Sequence, residues 1–94
     1  MVKKEFTDLD LQAQILYSLY VHGKWSEVYT PYDPFRRRLG NVVKNNGKNT
    51  DKQVKKLIKE RLILPRKNGK TIALNPYMKN IIKQRITESI GIKF

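Results

Sequence analysis

Cysteine is absent from this 94-residue chain, and histidine occurs once, at His22. Disulfides, thiol nucleophiles and zinc centres built from Cys and His are therefore excluded. Paired carboxylates, a nucleophile with an adjacent base and a glycine-rich phosphate loop are also missing, so we expect no enzyme, no cofactor and no bound metal. His22 is interpreted as a residue at a helix end.

Long apolar runs are missing too. Nowhere do 18 apolar residues follow one another, and the N-terminal MVKKEFTDLD has no apolar segment behind its basic residues. Neither secretion nor membrane spanning is indicated, so we expect an intracellular, cytoplasmic protein. The length predicts a single domain over residues 1–94.

Acidic residues are scarce. The chain has 20 Lys and Arg against 8 Asp and Glu, a formal net charge of +12. Residues 34–70 carry 13 of the basic side chains and only two acids, Asp51 and Glu60, so this segment holds +11 of the charge. An excess of this kind predicts a polyanionic partner, above all nucleic acid.

The first half of the chain predicts two helices. Thr7 as N-cap, two aspartates in the first turn and Gly23 beyond the end delimit a helix over about residues 8–21. Asp33 followed by Pro34 predicts the start of a second helix over about residues 34–45. Between them, residues 24–33 are expected to form a loop, with a short edge strand or a turn of helix at residues 26–29.

A third helix is predicted over about residues 51–61, opened by a capping box of Thr50 and Gln53. Val54, Leu57 and Ile58 form its apolar stripe. At about 100° per residue, four lysines lie on the face opposite that stripe. They are Lys52, Lys55, Lys56 and Lys59.

A β-hairpin and a fourth helix follow. Asn68-Gly69 lies between two β-prone runs and predicts a hairpin over about residues 62–74, with Pro65 on an edge strand. Asn75 and Pro76 start the fourth helix, over about residues 76–90.

The order helix, helix, helix, hairpin, helix resembles the winged helix-turn-helix family of DNA-binding domains. The resemblance covers about residues 9–90. It rests on inward Thr50, Val54 and Leu57, on Leu62-Ile63, on Asn68-Gly69 and on Leu74-Asn75-Pro76. It implies an α+β fold with a three-helix core, a two-stranded wing and a C-terminal fourth helix. Arg61 departs from the family, in which glycine is common at that position, so the turn from helix to wing is expected to be built differently.

The resemblance also implies a function. The third helix would enter the major groove of double-stranded DNA, and the wing would contact the adjacent backbone. This predicts a nucleoid-associated transcriptional regulator, similar to small regulators or replication proteins of archaeal, plasmid, phage or other mobile-element kind. The predicted DNA-binding residues are Lys48, Asn49, Lys52, Gln53, Lys55, Lys56, Lys59, Arg66, Lys67, Asn68, Lys70, Arg37 and Arg38.

Gln53 has two interpretations, as the N3 partner of the Thr50 cap alone or as a cap that also contacts a base. For the tyrosines and Trp25, we expect core packing ahead of base stacking. The apolar stripe of the fourth helix predicts a homodimer interface at Ile81, Ile82, Ile86 and Ile90. Alternative functions are a replication-associated or single-stranded-DNA-binding protein of a mobile element, and an RNA-binding or protein-interacting winged helix.

Overall fold

The computed structural model describes residues 7–25, 27–39 and 47–94. In these residues the chain forms four α-helices and a three-stranded antiparallel sheet, which confirms the α+β class. The elements are α1 Asp8–Val21, β1 Thr30–Pro31, α2 Tyr32–Leu39, α3 Gly47–Lys59, β2 Ile63–Arg66, β3 Thr71–Leu74, a 3₁₀ turn Pro76–Met78 and α4 Lys79–Ile90.

Local signals at both ends of α1 have the expected effect. The Thr7 hydroxyl accepts a hydrogen bond from the Asp10 N–H at 3.1 Å, which caps the first turn. At the other end, His22 is the C-cap and its Nδ1 lies 2.7 Å from the Ser18 carbonyl oxygen. Gly23 follows with a φ of 65°, a conformation that glycine adopts without steric cost. The predicted bounds of α1 are confirmed.

The predicted starts of the next two helices are wrong. Helix α2 begins at Tyr32 rather than at residue 34, and its predicted continuation over residues 40–45 lies outside the described residues. Helix α3 begins at Gly47 rather than at residue 51 and ends at Lys59. Thr50 therefore lies inside the helix and is buried, so the predicted capping box does not exist. Because the helix extends upstream, the Gln53 N–H already has a helical carbonyl as its acceptor.

The turn that leaves α3 is a Schellman motif. The Leu62 N–H donates to the Leu57 carbonyl oxygen at 3.0 Å, and the Arg61 N–H donates to that of Ile58 at 3.0 Å. Arg61 occupies the left-handed position with a φ of 64°, where glycine is the favoured residue. The Asn75 side chain donates to the Arg61 carbonyl oxygen at 2.8 Å and so holds the turn from outside.

The predicted hairpin is confirmed as β2 and β3, and β3 is the central strand of the order β1-β3-β2. Ile63 pairs with Leu74 and Arg66 pairs with Thr71. Pro65 lies on β2, an edge strand, where its missing N–H removes no bond from the ladder. The third strand, β1, is a short edge strand that pairs with β3, and it lies at Thr30–Pro31, after the predicted position at residues 26–29.

Helix α4 starts later than predicted, since Pro76–Met78 form a 3₁₀ turn capped by the Asn75 side chain. Ile82 and Ile86 are fully buried in the core of their own chain, where α4 packs on α1. A dimer interface through these two residues is therefore wrong, because α1 already covers them. Ile90 is half-buried against the same core, and Ile81 alone of the four is exposed, at 42%.

All four helices and the sheet contribute to one core. Its buried apolar members are Leu11, Ile15, Leu16, Leu19, Phe35, Leu39, Val54, Leu57, Leu62, Ile63, Ile72, Leu74, Ile82 and Ile86. Within the described part of the chain, no helix has the length and apolar character needed to cross a membrane.

Candidate nucleic-acid interface

The outer side of α3 is a continuous basic surface. Lys52, Lys55, Lys56 and Lys59 are all exposed, as the helical arithmetic predicts, and together they form what we call the lysine face. Val54 and Leu57, on the opposite side, are buried. Lys48 and Asp51 join the lysine face in lining a hollow of about 480 Å³. Four cations are thus held together because the same helix must bury its other side.

The hairpin tip, residues 67–70, is the second basic element. Lys67 and Asn68 both have positive φ, at 52° and 58°, and Gly69 follows at 84°. The Gly69 N–H donates to the Arg66 carbonyl oxygen at 3.0 Å, which closes the turn. Lys67, Asn68 and Lys70 are exposed at this tip, and Arg66 is exposed at the end of β2.

A groove joins these two elements. A cavity of about 390 Å³ is lined by Lys55 and Ile58 of α3, by Asn68 and Gly69 of the hairpin tip, and by Arg36 of α2. The lysine face and the hairpin tip therefore border one space. Sequence reasoning placed them next to each other along the chain, and the structure brings them together around a common groove.

Arg66 is held in place by an aromatic side chain. Its guanidinium carbon lies 4.9 Å from the centre of the Tyr29 ring, within the range of a cation–π contact. Tyr29 precedes β1, and its ring is half-buried. This contact orients Arg66 on the sheet and gives Tyr29 a role other than core packing.

Asp51, the acid beside the lysine face, is paired with Arg36. Asp51 Oδ1 accepts a hydrogen bond from the Tyr32 hydroxyl at 2.5 Å and lies 3.0 Å from Arg36 Nε. Burial, followed by the hydrogen bond to Asp51, raises the pKa of the Tyr32 phenol well above its ordinary value. The phenol therefore remains a donor, and α2 is tied to α3 through this carboxylate.

The arginine of α2 that lines the groove is not one of the two that the sequence predicts. Arg36, which was not among the predicted site residues, is the one that lines the groove beside α3. Arg37 donates from Nε to the Asp33 carbonyl oxygen at 3.5 Å, within its own helix. Arg38 instead lines a separate hollow beside Ser18 and His22 at the end of α1. Three consecutive helical residues point in different directions, and only Arg36 points towards α3.

Gln53 is not at the surface. It is 0% exposed, and its Oε1 accepts from Gln12 Nε2 of α1 at 2.8 Å. Its own Nε2 donates to Asn49 Oδ1 at 3.1 Å. In this conformation Gln53 cannot reach a base, and it caps no helix, so both of its predicted roles are wrong. The sequence did carry a signal for burial, since Gln53 lies about 40° around the helix from Leu57.

Gln53 belongs to a chain of side-chain hydrogen bonds across three helices. Arg85 of α4 donates from Nη1 to Gln12 Oε1 at 3.1 Å, and its Nη2 contacts Glu60. Arginine can only donate, so Gln12 must present its oxygen to Arg85 and its amide N–H groups to Gln53. We call Arg85, Gln12, Gln53 and Asn49 the amide relay. It positions α3 against α1 and α4, and it reaches the half-buried Asn49 in the first turn of α3.

No known protein family matches this sequence, and no curated protein or solved structure is significantly similar to it. The geometry of the chain itself is therefore the basis for inferring a function. Among the described residues, no group of three or more His, Cys, Asp or Glu side chains is arranged to hold a metal ion.

Proposed function

We propose that the protein binds double-stranded DNA, with α3 in the major groove and the hairpin tip on the adjacent backbone. In this proposal the fold is a winged helix-turn-helix, in which β2 and β3 are the wing. The observation that carries the proposal is the groove between α3 and the hairpin tip, which is bordered by Lys55 on one side and Asn68 on the other. A helix and a β-turn that border one groove can contact a duplex at two points at once.

The charge of this surface supports a polyanionic partner. Both acids of residues 34–70 are already paired, Asp51 with Arg36 and Glu60 with Arg85. Neither of these ion pairs uses a lysine of the lysine face. The positive field of α3 is therefore offset little by its own acids. A phosphate backbone supplies the missing negative charge, and release of its counterions drives binding.

Regulation of transcription is the biological role that we propose for this activity. The support is the order of elements and the α3-to-hairpin geometry, which match the expectation drawn from winged helix-turn-helix regulators. The cytoplasmic, nucleoid-associated location follows from the same proposal, as a DNA-binding protein is found where the DNA is.

Salt dependence of duplex binding tests the proposal. If about six phosphates are neutralised per protomer, log K should fall with log salt at a slope near −5. Replacing Lys52, Lys55 and Lys56 together by alanine should weaken the binding and make the slope shallower by about 3. Fluorescence anisotropy of a labelled duplex measures both quantities.

The matched control removes the same charge outside residues 34–70, by replacing Lys3, Lys4 and Lys93 with alanine. It should leave duplex binding much nearer to that of the wild type. Equal losses in the two triple variants would mean that net charge, not α3, carries the binding, and a flat salt dependence would refute a polyanionic partner. Single-stranded DNA and duplex RNA, titrated in parallel, should bind the lysine face more weakly than duplex DNA does.

A further inference from the structure

Three aromatic rings lie together on a part of the surface formed by α1, the loop after it and the C-terminal segment. The Tyr20 ring centre is 5.5 Å from that of Trp25, edge to face, and 4.7 Å from that of Phe94. We call these residues the aromatic cluster. Trp25 is half-buried, whereas Phe94 is 51% exposed, so the cluster is anchored in the core and open to solvent.

The C-terminal segment is folded back in a defined way to bring Phe94 there. Gly91 ends α4 in the left-handed conformation with a φ of 83°. The Thr87 hydroxyl then donates to the Ile92 carbonyl oxygen at 2.7 Å, and the Ile92 side chain packs against the core. The position of Phe94 therefore follows from a helix cap, a hydrogen bond and an apolar contact.

Two lysines of α4 lie over these rings. Lys79 Nζ is 6.0 Å from the Trp25 ring centre, and Lys83 Nζ is 5.6 Å from that of Phe94. They lie about 120° and 160° around α4 from Arg85, the residue that contacts Gln12 of α1 and Glu60. Glu88 lies on the same side of α4 as Arg85, away from these two lysines, and it accepts a hydrogen bond from Gln84 at 3.0 Å. Among the described ion pairs, none involves Lys79 or Lys83.

We propose that the aromatic cluster, with Lys79 and Lys83, is a second nucleic-acid site that takes a single-stranded segment. Exposed ring faces stack unpaired bases, and neighbouring ammonium groups bind the phosphates between those bases. A duplex offers no unpaired base to stack, which separates this ligand from the one proposed for α3. The site does not depend on the lysine face, because it is built from different residues and its two lysines are on α4 rather than on α3.

Trp25 is the only tryptophan of the chain, so its fluorescence reports on this site directly. Titration of the full chain with single-stranded oligothymidine should quench that emission. Phe94→Ala should weaken binding by about 5- to 150-fold, the range that corresponds to loss of one stacked base. The Lys79→Ala and Lys83→Ala double variant should make the salt slope shallower by about 1.4, since single strands give about 0.7 per phosphate contact.

Two further variants separate stacking from folding and from general charge. Phe94→Leu keeps an apolar side chain but has no ring, so it should bind as weakly as Phe94→Ala, whereas Phe94→Tyr should restore wild-type affinity. The triple alanine variant of Lys52, Lys55 and Lys56 should lose duplex binding and keep the quenching by oligothymidine.

Four results would overturn the proposal. They are the absence of quenching, wild-type affinity in Phe94→Leu, loss of quenching only with the α3 lysines, and a response to anionic lipid vesicles without one to oligothymidine. Duplex binding through α3 could still hold in each of these cases. Conversely, oligothymidine quenching in a protein that binds no duplex would support this site and refute the proposed function.

Discussion

The amide relay makes a quantitative prediction about stability at Gln53. Methionine has nearly the same length and fills irregular space well, so Gln53→Met removes two hydrogen bonds with little change in volume. The bonds lost are those from Gln12 Nε2 at 2.8 Å and to Asn49 Oδ1 at 3.1 Å. Gln12 is 5% exposed, so its amide would be left buried without this acceptor. A buried unsatisfied polar group costs about 1–3 kcal/mol, and we expect a loss of about 2 kcal/mol.

Urea unfolding followed by Trp25 fluorescence and far-UV circular dichroism measures this loss. With a slope of about 1–3 kcal/mol per molar urea, 2 kcal/mol should lower the midpoint by roughly 0.7–2 M. The melting temperature should fall by roughly 8–16 °C, because a chain of this length loses about 4–8 °C per kcal/mol.

The same substitution at Gln84 is the control. Gln84 also donates to a side chain four residues away, Glu88, but on the exposed side of α4, so Gln84→Met should change stability by less than about 0.5 kcal/mol. The Gln12→Met and Gln53→Met double variant should cost less than the sum of the two single variants, by about 1 kcal/mol, because the two amides satisfy each other. A Gln53→Met protein as stable as wild type, or additive costs in the double variant, would refute the relay.

Three further predictions concern stability. Arg61→Gly should stabilise the protein by about 0.5–1 kcal/mol, because it relieves an arginine in the left-handed conformation. Lys56→Gly, in the middle of α3, should instead destabilise the protein by about 1 kcal/mol. The urea midpoints of the two variants measure both effects. Tyr32→Phe should destabilise the protein at neutral pH. Because the folded-state pKa of this phenol is raised, that difference should be present below the ordinary value of about 10 and shrink as the pH rises above it; a constant difference from pH 8 to 11 would contradict this. Ile82→Ala should cost about 2–5 kcal/mol and Ile81→Ala less than about 1 kcal/mol, and gel filtration of both variants would show whether Ile81 takes part in a dimer.

The features predicted well from the sequence are those that neighbouring residues determine. Thr7 caps α1 with its own hydroxyl, and Asn68-Gly69 supplies the positive φ values that a hairpin tip needs. The lysine face is correct for a similar reason. Helical periodicity alone turns Lys52 and Lys56 to the side opposite Leu57, whatever the helix packs against.

The errors arise where a contact with a residue far away in the sequence determines the local structure. Thr50 and Gln53 match a capping box, but Gln53 bonds to Gln12, 41 residues away, and α3 begins a turn earlier. A capping rule considers only residues near the end of the helix, so it cannot predict the contact between Gln53 and Gln12. Likewise, the apolar stripe of the fourth helix predicts a dimer interface at Ile82 and Ile86, but these residues pack in the core of their own chain, where α4 meets α1.

Burial of Gln53 changes what the proposed interface can distinguish. Lysines bind phosphates without regard to sequence, while selective readout depends on side chains that match base edges. On α3 and the hairpin tip, the amides left to do this are Asn49, which is half-buried in the relay, and Asn68, which is exposed at the tip. A surface with four lysines and so few amides should bind many duplexes with similar affinity. Its selectivity would then depend chiefly on how readily a given sequence fits the groove between α3 and the hairpin tip.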